Sequence, residues 1–146
     1  MDKCSFYNKV NEAIEKAPHL FALETDSKAN NEMIKGIESY YDVKLPEAYE
    51  DFVRQYGGGY FGFIVVYSCD NNGMFYIKDR VSKKEVIENA FLPVVDFETG
   101  DFLGFEIKGG VCQSTVKMYS HEDNKLVDTG LDFYQILLKY GLNIKY

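Results

Sequence analysis

Residues 37–59, IESYYDVKLPEAYEDFVRQYGGG, decide how the rest of the chain is read. Leu45-Pro46-Glu47 opens a helix there, because proline is pre-set for the first helical position and glutamate favours the positive end of the helix dipole. Tyr49, Phe52, Val53 and Tyr56 then recur at helical spacing and form an apolar stripe. Gly57-Gly58-Gly59 stops the helix and lets the chain turn sharply into a sheet, since glycine adopts left-handed backbone angles freely.

Upstream, Met33, Ile34, Ile37, Tyr40 and Tyr41 share one face of a helix that Ser27 is placed to cap and that ends near Asp42. Phe6, Tyr7, Val10, Ala13 and Ile14 mark a first amphipathic helix over residues 2–16, stopped before Pro18. Downstream, Tyr60–Ser68 reads as a strand, Asn71-Asn72-Gly73 as a hairpin turn and Met74–Ile77 as its return. Ser82 and Glu85 have capping-box spacing for a short helix over 83–89. Leu92–Phe97, Asp101–Ile107 and Val111–Tyr119 form an antiparallel meander through turns at Thr99-Gly100 and Gly109-Gly110. His121–Asn124 turns the chain again, and a last helix over 131–140 is expected with Thr129 as cap and Gly141 as stop. The expected fold is α+β, with helices covering one face of a central, mostly antiparallel twisted sheet and a helix at the C-terminus.

The chain has 146 residues, 46% of them hydrophobic, enough for one domain with its own core, and residues 1–146 are read as a single domain. Its 23 acidic and 16 basic residues give a net charge of -7, which repels nucleic acid and anionic membranes. The longest apolar run, Phe63–Tyr67, falls far short of the roughly 20 residues of a membrane helix. Asp2, Asn8, Lys9 and Asn11 leave no signal-peptide pattern, so a cytoplasmic location is expected. Cys4, Cys69 and Cys112 form an odd set without CxxC spacing and are read as reduced thiols.

Between Asp96 and Asp132 lie eight carboxylates against Lys108, Lys117 and Lys125. Such a cluster either keeps the turns of a sheet solvated or serves as an acidic binding face. Glu98, Asp101, Glu122 and Asp123 fall in turns and are the expected exposed set. In a strand from Asp101 to Ile107, alternation puts Asp101, Leu103 and Phe105 on one face and Phe102, Gly104 and Glu106 on the other, so Asp101 and Glu106 are not expected to share a face. Tyr60, Phe61 and Tyr119 are candidate aromatic anchors within that acidic rim, with core packing as the competing role.

Catalysis would need Cys69 or Cys112 as nucleophile and His121 or His19 as base, and nothing in the spacing brings them together. Asp96, Glu98 and Asp101 are only loosely like a calcium loop and lack its bidentate glutamate, while consecutive His121-Glu122-Asp123 point in different directions. No metal or cofactor is therefore expected, and no catalytic residue is assigned. Gly57–Gly59 follows a helix and precedes a strand, the reverse of a phosphate-binding loop.

The 37–59 segment, followed by Leu92-Pro93-Val94-Val95, Thr99-Gly100-Asp101 leading to Phe105, Val116–Tyr119 with His121-Glu122, and Phe133 in the closing helix, resembles the SUKH superfamily over about residues 27–141. That resemblance implies an immunity protein or antitoxin that binds and neutralises a cognate bacterial toxin, often a nuclease. It also leaves open a regulatory adaptor binding another protein, because the superfamily contains regulatory members and fold alone does not fix role.

Overall fold

The computed structural model describes residues 1–145. The helix that follows Leu45-Pro46 runs over Glu47–Tyr56 (α3), with Pro46 as its extended cap, and turns Tyr49, Phe52 and Val53 fully inward. All three following glycines have positive φ, so the helix stop acts as the sequence implies. The first helix, α1, spans Lys3–Lys16 and buries Phe6 and Val10. The second, α2, spans Asn31–Tyr41 and ends on Asp42 in a left-handed conformation.

The cap of α2 is Asn30, whose side chain accepts the Met33 N–H at 2.9 Å, and not Ser27. Ser27 lies outside the helix, and its own N–H is taken by the Asp70 carboxylate at 3.0 Å. Both residue types make good caps, and the tertiary partner of Ser27 is what the local sequence does not reveal.

Residues 60–68 are not one strand. They form a tight hairpin of β1 (Gly59–Phe61) and β2 (Ile64–Val66), paired antiparallel. Gly62 makes the turn with φ 60°, and a Cβ there would stand 1.9 Å from the Gly141 carbonyl oxygen, so no other residue fits. Asn71-Asn72-Gly73 likewise does not lead into a strand. Residues 69–76 form a loop and Ile77–Arg80 a single helical turn (α4). The Asp26 carboxylate holds that loop, accepting the N–H groups of Met74 at 3.0 Å and Phe75 at 2.9 Å and the Ser68 hydroxyl. A half-buried carboxylate placed on backbone donors 48 and 49 residues away outweighs the local turn signal.

Ser82 caps α5 (Lys83–Asn89) by accepting the Glu85 N–H at 3.4 Å, the serine half of the expected box. The meander follows as β3 (Phe91–Asp96), β4 (Phe102–Lys108) and β5 (Val111–Ser120). A sixth strand, β6 (Lys125–Asp132), occupies the stretch where the last helix was expected to begin. Asp132, not Thr129, caps the final helix in a reciprocal box with Gln135, and α6 (Phe133–Ile136) continues with π-type bonding through Leu137–Gly141. Thr129 instead donates its hydroxyl to the Val116 carbonyl of β5 at 2.6 Å. The sheet order is β1-β2-β3-β4-β5-β6, antiparallel at every junction, so the α+β architecture stands.

Helices α1, α3 and α6 cover one face of this sheet. Phe105 of β4 meets Tyr49 and Phe133 edge to face or tilted, at 6.3 and 5.6 Å, and Phe6 stacks on Tyr134 at 4.6 Å. Helix α2 ties this layer to the 77–89 segment, because the Tyr41 hydroxyl donates to the carbonyls of Ile77 and Val81. Among the described residues no helix is long and apolar enough to cross a membrane.

Candidate functional site

The register of the meander sorts its side chains into two populations. Leu103 and Phe105 are fully buried on the helix side, while Phe102 and Tyr119, which face one another across β4 and β5, point to the opposite side and remain partly open. Their rings are 6.5 Å apart and tilted. Helix α5 stands beside this outer face, and between them lies a depression of about 320 Å³ floored by Tyr67, Pro93, Phe102 and Tyr119 and walled by Glu85 and Glu88.

A second depression of about 320 Å³ adjoins it, lined by Tyr60, Phe75 and Met74 and edged by Glu24, Asp96 and Glu98. Arg80 lines both, and the Tyr67 hydroxyl donates to Asp96 at 3.0 Å at their junction, so the two make one groove across the outer face. Arg80 is held over the Phe75 ring at 5.5 Å and donates to the Met74 carbonyl at 2.8 Å.

Five carboxylates and one guanidinium thus line the groove. Among the described residues Glu24, Glu85, Asp96 and Glu98 make no ion pair within 4.0 Å, and Glu88 reaches only Lys84, at 3.9 Å. The field is felt by the phenols. The Glu98 charge leads in pushing Tyr60 above its ordinary pKa, and burial followed by the Asp96 charge does the same to Tyr67. Further along the outer face the balance changes, because Lys117 and Lys108 both engage Glu106 and hold its carboxyl below the usual range.

The residues singled out in the sequence separate under this geometry. The β3–β4 and β5–β6 turns meet at one end of the sheet, where the Asp101 carboxylate accepts the His121 backbone N–H at 3.1 Å and lies 2.8 Å from the ring Nδ1. These contacts lower the Asp101 pKa, with the side-chain bond to His121 the largest cause. Glu98, Glu122 and Asp123 are exposed at the same end. Tyr60 lines the groove beside Glu98, and Tyr119 lies on its floor. Phe61 does not belong with them. It is 3% exposed and packs among Phe6, Phe21 and Phe52, because the Gly62 turn directs it under the helices.

The thiols and histidines stay apart from one another. Cys69 and Cys112 are buried, and burial pushes each thiol up to about 12, the reverse of what a nucleophile needs. His121 faces Asp101, and His19 sits on an exposed 3-10 turn. Among the described residues no three His, Cys, Asp or Glu side chains converge to hold a metal ion. Asp96 accepts instead from Tyr67 and from the Glu98 N–H.

Arg80, Phe102, Glu85 and Glu88 escaped the sequence reading. The signal for the first was the run Lys78–Lys84, four cations in seven residues of an acidic chain. The signal for Phe102 was a large ring sharing a strand face with Gly104 and Glu106, opposite Leu103 and Phe105.

No curated protein matches the chain. The family model described as SMI1-KNR4 cell-wall, of the SUKH group, matches residues 31–135, which run from the first residue of α2 into α6 and include the floor of the groove and its α5 wall but not Glu24 at its edge. The chain therefore belongs to the SUKH superfamily, in the family described as SMI1-KNR4 cell-wall.

Proposed function

We propose that the chain is a single-domain cytoplasmic immunity protein that binds a cognate bacterial toxin, a nuclease domain, and neutralises it by occupying its basic cleft, without catalysis and without a cofactor. Membership of the SUKH superfamily is consistent with an immunity or antitoxin role and with binding a partner protein. The observation that carries the reading furthest is the outer face itself, an aromatic groove with four unpaired carboxylates, continuous with the acidic turn end of the sheet. A nuclease must present cations to phosphate, and an acidic face of this kind complements such a surface and accelerates encounter.

Glu98, Asp101, Glu122 and Asp123 form the steering end in this reading, and Tyr60 and Tyr119 contribute ring surface. Co-expression with candidate toxins, scored by growth, tests it. One toxin should be relieved by the wild-type chain, and the variant Glu98→Lys/Asp101→Lys/Glu122→Lys/Asp123→Lys should associate with that toxin at least about tenfold more slowly, with a flatter salt dependence. An unchanged association rate in a folded variant would remove the acidic end from the interface.

A further inference from the structure

The lining of the groove is chemically one-sided, and that narrows what can fill it. A phosphate or other anion would meet five carboxylates and one guanidinium already engaged with Phe75 and the Met74 carbonyl. A neutral apolar molecule would cover the rings but strand Glu85, Asp96 and Glu98 without a counter-charge, a desolvation cost that nothing would offset. The ligand that satisfies both halves carries an apolar group for the floor and cations for the rim.

We infer that the groove receives a short segment of a partner polypeptide in which one apolar side chain is flanked by lysine or arginine. The apolar side chain sits on Phe102, Tyr119 and Pro93. One cation reaches Glu85 and Glu88 on α5, and the other reaches Asp96 and Glu98 at the far depression, where the Tyr60 ring adds a cation–π face. This rests on the outer face being the partner surface, and it holds whether or not that partner is a toxin.

The probe is a fluorescein-labelled, acetylated and amidated nine-residue peptide alternating lysine and leucine, compared with a lysine–glycine and a glutamate–leucine peptide of the same length. By anisotropy the lysine–leucine peptide should bind saturably, at least about tenfold more tightly than either control, and weaken by about tenfold between 20 and 300 mM salt. Glu85→Lys/Glu98→Lys should lose about tenfold or more, whereas Glu12→Lys/Glu15→Lys, the same charge change at exposed positions of α1 in the helical layer, should lose less than about twofold. Should the first variant fail to fold, amide shift mapping on the wild-type chain serves instead, with shifts expected at 80–89, Phe102 and Tyr119.

Equal losses in the two variants, or shifts scattered over all acidic loops, would reduce the effect to net charge and overturn the inference. So would a wild-type dimer that Glu85→Lys/Glu98→Lys dissociates, since a second copy would then fill the groove. Peptide binding without growth rescue by any toxin would leave the groove's ligand class standing and remove the immunity reading. Rescue without peptide binding would do the opposite.

Discussion

Three residues apart on β4, Phe105 and Phe102 meet opposite fates. Phe105 lies on the inner face of the sheet, fully buried against Tyr49 and Phe133 beneath α3 and α6. Phe102 lies on the outer face, partly open, with Tyr119 as its one aromatic neighbour among the described residues. Charge follows the same division. On the helical side Glu38 and Glu50 share Lys44, and Asp51 meets Lys3 and Arg54. Along the groove Glu24, Glu85, Asp96 and Glu98 make no ion pair among the described residues. One face of the sheet is spent on stability, and the other leaves ring surface and charge unsatisfied, the condition under which a partner gains by binding.

The largest expected effect tests that division directly. Phe105→Ala should destabilise the chain by about 3–5 kcal/mol in urea titration, while Phe102→Ala should cost about 1 kcal/mol or less and instead weaken partner binding. Similar costs at the two positions would break the comparison.

Next is the clamp that shapes the second depression. Asp26→Ala strands the N–H groups of Met74 and Phe75 and should cost about 3 kcal/mol, read by the same titration. Gly73→Ala should act at the same place, because its Cβ would stand 2.3 Å from the Asp26 carboxylate oxygen.

Smaller effects separate the helix caps of the two layers. Asn30, bonded to Met33 N at 2.9 Å, caps α2 in the helical layer, and Ser82, bonded to Glu85 N at 3.4 Å, caps α5 beside the groove. Asn30→Ala should cost about 1 kcal/mol and Ser82→Ala about half of that, by thermal or urea unfolding.

Both limbs of the pH profile carry a sign. Cys69 and Cys112, raised from 9.0 to about 12 by burial, and Tyr49, raised by the same cause, bind their protons more tightly folded than unfolded. The stability they contribute is complete below pH 9 and is lost as pH climbs from there toward 12. Asp70, lowered chiefly by the Ser27 backbone N–H, and Asp101, lowered by His121, act in the opposite sense. Their contribution is present above the ordinary carboxylate range and fades below about pH 4. The alkaline limb should be the steeper, since three buried groups act on it, whereas only Asp70 and the half-buried Asp101 act on the acid limb.

Local chemistry made much of the fold legible. The α3 stripe and its glycine stop, the Ser82 cap of α5, and the β3–β5 meander all depend on neighbours within a few residues, and the structure follows them. The misreadings share a cause at longer range. Asp26 reaches loop 69–76, Thr129 bonds β5, and Gly62 fits beneath Gly141, each a partner far along the chain that overrides the local pattern. Of the candidate positions, the exposure of Glu98, Glu122 and Asp123 was legible because they fall in turns, and Tyr60 and Tyr119 line the groove. The groove itself was not legible, since it exists only when α5 lies alongside β3–β5, and expecting a strand at Met74–Ile77 hid the segment that leads into that wall. Phe61 illustrates the limit. In sequence it adjoins Tyr60, and in space the Gly62 turn sends the two to opposite sides.

Amide hydrogen exchange of the chain, alone and bound to the toxin it relieves in co-expression, tests most directly that the outer face is the partner surface. Slowed exchange concentrated at residues 77–91, 96–103 and 117–123 is the expected result. Protection confined to α1, α3 and α6, with the groove exchanging as in the free chain, would contradict it.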